Sequence, residues 1–288
     1  MATPFVDLMY QAMNNSTKQT KEENMGLFDK VFNKKNEEPK KDGNLIMSMP
    51  MFASEKGYCL NNVIKDLQSH WGRIVEGVEG DDQTATFSID GELVALALMP
   101  APIPSEEFES MYEYSYLWKD AEEEIKNHKT HAIVSLFSGD APSVKRYSIL
   151  TMVNASILRT SENAIGVYQG ESTLLLPKKL YVDFADMLKE EMLPIQLWVY
   201  VGIINDGEKC SLYTYGMKEF DKLEMEIIDS NVSASELYDF FMSVLHYILQ
   251  GDITLKDGET IGLTEEQKIK IVESKAVYLD GTSLKLEM

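Results

Sequence analysis

The sequence has little of the material from which most catalytic and metal sites are built. Its 288 residues include only two cysteines and four histidines. Two cysteines, Cys59 and Cys210, do not make a disulfide framework in a chain of this length, so we expect two free thiols in a reducing compartment. No phosphate-binding loop, dinucleotide-binding glycine pattern, nucleophile elbow or His-Glu-x-x-His motif occurs in the sequence. The sequence therefore predicts no cofactor.

Long apolar runs are also missing. No stretch approaches the roughly 20 apolar residues that a membrane-spanning helix needs. Residues 1–10 lack the charged start and the small-residue cleavage site of a secretory signal. We therefore expect a cytoplasmic protein without a transmembrane segment.

Basic residues are scarce relative to acidic ones. The chain has 27 Lys and Arg against 47 Asp and Glu, a formal net charge of −20. Residues 1–43 contain seven of each sign, so the whole excess lies on residues 44–288. Such a surface repels nucleic acid and anionic lipid and attracts basic partners. The charge thus indicates a basic protein as partner and no nucleic acid, unless it serves solubility alone.

The first 43 residues are predicted to be a disordered tail, because their polar stretches show no apolar periodicity. Within the tail, residues 25–32 form a short amphipathic segment with four apolar residues at helical spacing. They are Leu27, Phe28, Val31 and Phe32. This stripe is a candidate for weak peripheral contact with a membrane or a partner. The segment opens Met-Gly-Leu-Phe, like the start of many proteins, so Met25 is a candidate alternative start.

Residues 44–138 show the element order β-α-β-β-α-β. Residues 45–52 are an apolar run typical of a strand buried on both faces, and residues 60–71 have helical periodicity. Asp90-Gly91 between two apolar stretches indicates a tight hairpin. A second helical stretch and a strand over 131–137 complete the order, which predicts a ferredoxin-like half of an α+β protein.

Residues 139–288 are predicted to be a second α+β half with antiparallel hairpins, packed with the first half as one unit. One hairpin turns at Asn205 to Glu208. Ser233 and Glu236 form a capping box at the start of an amphipathic helix, which Gly251 ends.

Several strand-like strings carry a resemblance to a known family. They are residues 131–136, 197–202, 213–217, 224–227 and 257–262. On these strings the chain resembles the domain of unknown function 4261 family over about residues 45–273. The resemblance implies one shared fold and a bacterial, cytoplasmic setting. It implies no catalytic or binding residue.

Two histidines are weak candidates for a metal site. His128 and His131 are three residues apart, a spacing that places two ligands on one metal when both lie on a helix. Here the first ends a predicted helix and the second opens a strand. The alternative is that His128 caps the helix and His131 hydrogen-bonds within the fold.

Aromatic residues cluster in two places and are candidates for partner binding, because tyrosine and tryptophan are favoured at binding hot spots. The alternative is that they pack in the core. The candidates are Tyr112, Tyr116, Trp118, Tyr213 and Tyr215.

Two functional hypotheses follow. The first is a protein-binding or antagonist module, similar in role to an immunity protein, that blocks a basic partner through an acidic surface. The alternative is an enzyme with an unrecognised, metal-assisted site near His128 and His131. The sequence favours the first, because no catalytic motif accompanies the histidines.

Overall fold

The computed structural model describes residues 45–137, 141–264 and 266–288. The predicted tail, its apolar stripe and Met25 therefore lie outside the described residues. The chain divides into two units, whose described parts are residues 45–198 and 199–288. We call them the first and the second unit. The division falls later in the chain than the boundary expected at 138/139.

The first unit is built on a seven-stranded sheet in which each strand is antiparallel to its neighbours. The strands are β1 (Ile46–Phe52), β2 (Val75–Gly80), β3 (Thr84–Ile89), β4 (Glu92–Met99), β5 (Thr130–Leu136), β6 (Ala164–Gln169) and β7 (Leu174–Pro177). Their order across the sheet is β2-β3-β4-β5-β1-β6-β7. The turn between β3 and β4 has positive φ at both Asp90 and Gly91, which confirms the predicted hairpin.

Helices cover one side of this sheet, here called the helix face. They are α1 (Leu60–Ser69), α3 (Ser143–Thr160) and α4 (Lys178–Ala185), while the five-residue α2 (Ala121–Ile125) lies in the connection before β5. Helix α3 contacts β1, β5 and β6, and α1 and α4 flank it. The Ser48 hydroxyl donates to Asn154 Oδ1 at 3.0 Å, which ties β1 to α3.

The protein is a mixed α+β protein, as predicted, but the ferredoxin-like arrangement is not confirmed. In that pattern a second crossover helix carries the last strand to the far side of the first. Here β5 lies between β4 and β1 and is antiparallel to both. Antiparallel neighbours need no crossover helix, and residues 105–125 form two 3₁₀ turns and the short α2 instead.

The second unit contains a six-stranded sheet and one long helix, α5 (Ala234–Gly251), which contacts β9. The strands are β8 (Tyr200–Asp206), β9 (Lys209–Tyr215), β10 (Met225–Ser230), β11 (Thr260–Ile261), β12 (Ile269–Lys275) and β13 (Thr282–Glu287), in the order β11-β12-β13-β10-β9-β8. The Ser233 side chain accepts the Glu236 backbone N–H, which confirms the predicted cap. The β8–β9 hairpin is also confirmed.

Candidate functional site

The side of the seven-stranded sheet opposite the helix face is only partly covered. Along β4, Val94 and Leu96 point to the helix face and are buried, whereas Leu93, the residue before Val94, is exposed. The same alternation holds on β5, where Leu136 is buried and the next residue, Phe137, is exposed. Successive side chains of a strand point to opposite faces, so the exposed residues share one side of the sheet.

The pairing register places three exposed apolar side chains in one row. The Phe137 backbone N–H donates to the Leu93 carbonyl at 3.2 Å. Because Ile46 is paired with Leu136, Leu45 lies opposite Phe137 in the same antiparallel register. Leu45, Phe137 and Leu93 are 43%, 45% and 46% exposed. The row therefore crosses the ends of β1, β5 and β4, and within residues 45–137, 141–264 and 266–288 no layer covers it.

Further apolar residues continue this surface along the strands. Ala95 is paired with Ser135 and Ala97 with Ile133, all of them half-buried. We call the apolar set the open face: Leu45, Met47, Leu93, Ala95, Ala97, Met99, Ile133 and Phe137. A contiguous exposed apolar patch on a folded protein marks an interaction surface more often than chance.

Residues 100–128 cover the part of this side that β1, β6 and β7 form. Trp118 packs in a cluster with Met51, Tyr168 and Leu175, which belong to β1, β6 and β7. The absence of a side chain at Gly166 makes room for the indole, because a Cβ there would lie 2.5 Å from the ring. The cover thus ends at β1, and the open face begins where it stops.

Acidic residues border the open face. Residues 74–99 include six Asp and Glu and no Lys, Arg or His. Four of the six have partners. Asp81 accepts the backbone N–H groups that follow it at Gln83 and Thr84, and the Asp82 carboxylate accepts the Leu60 N–H at the start of α1. Asp90 pairs with Arg73, and Glu92 lies 3.6 Å from Arg146.

The two exposed acids of β2 lie on the open side of the sheet. Glu76 is paired with Ser88 and Glu79 with Thr86, and both partners belong to the side that carries the open face. Strand β2 is the edge of the sheet, and a bulge between Glu76 and Glu79 with positive φ at Gly77 distorts it. Charge and a bulge on an edge strand discourage pairing with another strand.

Backbone groups hold the rings of both predicted metal candidates. His128 Nε2 accepts the Ile103 N–H at 2.8 Å, and its Nδ1 donates to the Ile125 carbonyl at 2.6 Å. Backbone groups therefore engage both of its ring nitrogens. His131 Nδ1 donates to the Ala101 carbonyl at 2.9 Å. Burial lowers the pKa of both imidazoles, so each is neutral near pH 7. Within the described ranges, no group of three or more His, Cys, Asp or Glu is placed to hold a metal ion.

The predicted aromatic candidates lie outside the open face. Trp118 is a core residue, and Tyr112 packs half-buried against its cluster. In the second unit, Tyr213 is buried and stacks on Tyr278 with ring centroids 5.5 Å apart. Tyr215 is half-buried, and the Lys218 ammonium lies 5.7 Å from its ring centroid.

Tyr116 is half-buried in the segment 100–128. Each of the five candidates is thus buried or half-buried within its own unit. The open face was missed because its residues are ordinary strand residues in the sequence. Its signal was the apolar character of both sides of residues 45–52 and 131–137.

A buried carboxylate organises the second unit. Glu226 on β10 is fully buried and accepts the backbone N–H groups of Val277 and Tyr278, the latter at 2.8 Å. The Ser283 hydroxyl donates to it at 2.6 Å, and the Lys285 ammonium binds the same oxygen. Four donors thus satisfy this carboxylate, which pins the segment between β12 and β13 to the sheet. Ser283 donates to the carboxylate and is itself buried, so its hydroxyl is not poised as a nucleophile.

Glu224 has a similar role two residues earlier. Its carboxylate accepts the N–H groups of Gly216 and Met217, each at 2.9 Å, and the Thr214 hydroxyl at 2.7 Å. Burial nevertheless raises its pKa above the ordinary value, because removal from water outweighs these hydrogen bonds. The carboxylate closes the turn that follows β9.

A charged cluster surrounds Trp71 in the first unit. Asp186 accepts from His70 Nε2 at 2.8 Å and from Arg159 at 3.0 Å, and Arg159 also binds Asp66. Partial burial raises the pKa of Asp186, but the His70 hydrogen bond and the nearby cations outweigh it, so the net pKa is lowered. This cluster joins α1, α3 and the turn after α4, and its charged side chains pair with partners of opposite sign.

Comparison with known proteins adds a partial match. Residues 213–287 match the model of a family described as a domain of unknown function (DUF4261). This confirms the predicted resemblance over that part of the second unit, which includes the strings at 213–217, 224–227 and 257–262. The strings at 131–136 and 197–202 lie outside the match. A search of curated proteins and a search of solved structures each found no match. Among the described residues, no helix is long and apolar enough to cross a membrane.

Proposed function

We propose that this protein is a protein-binding module that holds its partner on the open face. The observation that carries the proposal is the row of Leu45, Phe137 and Leu93, large apolar side chains that no described residue covers, beside the part of the same side that residues 100–128 cover. Leaving three large apolar side chains in water costs stability that burial against a partner recovers, at about 25 cal/mol per Å² of apolar area.

The border of the face sets the chemistry of the partner. Glu76 and Glu79 are exposed beside the apolar row, in a stretch without basic residues. Charges at the rim of an interface steer association and select against partners of like charge. The partner we propose therefore presents an apolar segment flanked by lysine or arginine.

We further propose that the role is antagonistic, as in an immunity protein. A partner whose basic and apolar surface is covered by this chain is withheld from its other ligands. The excess of negative charge on residues 44–288 supports this role, because it repels nucleic acid and attracts basic proteins. We place the protein in the cytoplasm, a proposal that the free thiols of Cys59 and Cys210 support.

Affinity capture with matched variants tests the proposal. The full-length wild type, a Leu93→Asp/Phe137→Asp variant and a Tyr247→Asp control serve as baits in a lysate of the source cells at low and high salt. Tyr247 is 56% exposed on α5 in the second unit, so the control adds a charge to an exposed aromatic position elsewhere.

We expect a basic protein that is retained by the wild type and by the control, lost with the face variant, and released by salt because rim charges are screened. A set of captured proteins that is identical for all three baits would refute the proposal, as would a partner insensitive to both the face variant and salt.

A further inference from the structure

The chain itself enters the sheet at the open face. Leu45, the first described residue, belongs to the exposed row and directly precedes β1. Whatever precedes Leu45 therefore starts from the rim of this surface. The preceding 44 residues lie outside the described part, and their chemistry is read from the sequence alone.

One segment of those residues has the chemistry proposed for the partner. Leu27, Phe28, Val31 and Phe32 fall at helical spacing, and Lys30, Lys34 and Lys35 lie among and just after them. Between residues 27 and 35 the only acid is Asp29. An apolar stripe followed by lysines is complementary to an apolar row bordered by Glu76 and Glu79.

The connection is long enough to bring the two surfaces together. Residues 33–44 separate the stripe from Leu45, and twelve residues span up to about 40 Å when extended. Neighbouring strands lie about 4.8 Å apart, so the distance from β1 across β5 and β4 to β3 is only about 15 Å. A short tether also gives an effective concentration on the order of millimolar, which favours even a weak contact.

We propose that residues 27–32 occupy the open face of their own chain, with Lys34 and Lys35 directed toward Glu76 and Glu79. This inference rests on the proposed function, because it assigns a regulator to the same surface. The stripe competes with the partner, and the partner must displace it to bind. The segment thus sets the threshold for binding rather than serving as a permanent part of the core.

Disulfide trapping in the full-length chain tests this placement. The background carries Cys59→Ser, which removes the half-buried native thiol and leaves Cys210 buried. Phe32→Cys is combined with Leu93→Cys on the open face or, as the control, with Gln68→Cys, an exposed position of α1 on the helix-face side. Mild oxidation is followed by non-reducing electrophoresis and intact mass.

We expect an intramolecular disulfide to form with Leu93→Cys about tenfold or more faster than with Gln68→Cys, in line with the gain from a specific tethered contact. Replacing Leu27, Phe28 and Val31 by serine in the same background should abolish the difference. Equal rates for the two pairs would overturn the proposal. A disulfide between two chains would also overturn it, since it would assign the face to a second copy.

Failure of this test leaves the proposed function testable, because the capture experiment reads the open face and not the tail. If trapping fails and face-dependent capture succeeds, only the regulator is wrong. If both fail, the open face is not a binding surface.

Discussion

In the second unit a fully buried carboxylate has four donors, whereas in the first unit three partly exposed apolar side chains lie in one row that no described residue covers. Glu226 is fully buried, but four donors of its own unit satisfy it. Leu93 and Phe137 are nearly half exposed, and no residue of the described chain covers them. The burial of Glu226 is explained by residues of its own unit, whereas the exposure of the apolar row is not explained by any described residue. A buried charge with all its partners present is structural, and an apolar row without a cover is a candidate for binding.

The largest expected effect comes from disrupting the network around the buried Glu226. Glu226→Gln leaves the Lys285 ammonium without its carboxylate in a buried site. Removing one member of a buried ion pair costs about 3–5 kcal/mol, so we expect a loss of unfolding free energy of that size in urea titrations. The control is Glu287→Gln, because Glu287 is exposed and lies 3.9 Å from Lys270. We expect the control to change stability by less than about 0.5 kcal/mol. Similar losses for both variants would mean that the buried network is not what holds the second unit.

The next effect sharpens the contrast between the two sides of the first sheet. Leu136 and Phe137 are neighbours on one strand, but one is fully buried toward α3 and the other is exposed. We expect Leu136→Ala to lower the unfolding free energy by about 2–5 kcal/mol. Phe137→Ser should lower it clearly less than Leu136→Ala does, because nearly half of the Phe137 side chain is already exposed. Thermal and urea unfolding measure both. A loss for Phe137→Ser as large as that for Leu136→Ala would contradict the difference between the two sides of this strand.

Elements with strong local signals in the sequence were predicted, whereas an element that depends on pairing was not. The Asp90-Gly91 hairpin, helix α1 and the capped α5 follow from local chemistry, and each is present. Strand β2 was not predicted, because the two valines of its sequence Val-Glu-Gly-Val-Glu-Gly are three residues apart, which breaks the alternation, and its glycines disfavour a strand. It exists through its pairing with β3.

The candidate site was only half visible in the sequence. Residues 45–52 were expected to be buried on both sides, yet Met47 and Met49 are half-buried. An apolar pattern indicates that a cover is needed but not which segment supplies it. The role of Glu226 was hidden for a different reason, since its partners lie 51 to 59 residues away along the chain. The residues next to Glu226 in the sequence do not distinguish it, as a buried acid, from the other acids among the 47 in the chain.

The smallest expected effect concerns the pH dependence of the second unit. Because burial raises the pKa of Glu224, its ionised form costs stability above the folded pKa, and this cost disappears as pH falls toward the ordinary glutamate value of about 4.3. Glu224→Gln removes the titration but keeps an oxygen for the Gly216 and Met217 N–H groups, so its effect at pH 7 should stay below about 1.5 kcal/mol. Urea unfolding at several pH values should show the wild type gaining stability relative to the variant as pH is lowered. A wild type whose unfolding free energy falls relative to that of the variant as pH is lowered would contradict the raised pKa.

The chemistry of the open face is tested most directly by titrating a peptide of residues 25–36 into the full-length chain by calorimetry. Three proteins are compared: the wild type, a variant with Leu27, Phe28, Val31 and Phe32 replaced by serine, and that variant with Phe137→Asp added. We predict that the peptide binds the serine variant about tenfold or more tightly than the wild type, whose tethered stripe competes. Adding Phe137→Asp should abolish binding. Binding that is unchanged by Phe137→Asp, or no binding to the serine variant, would contradict the account.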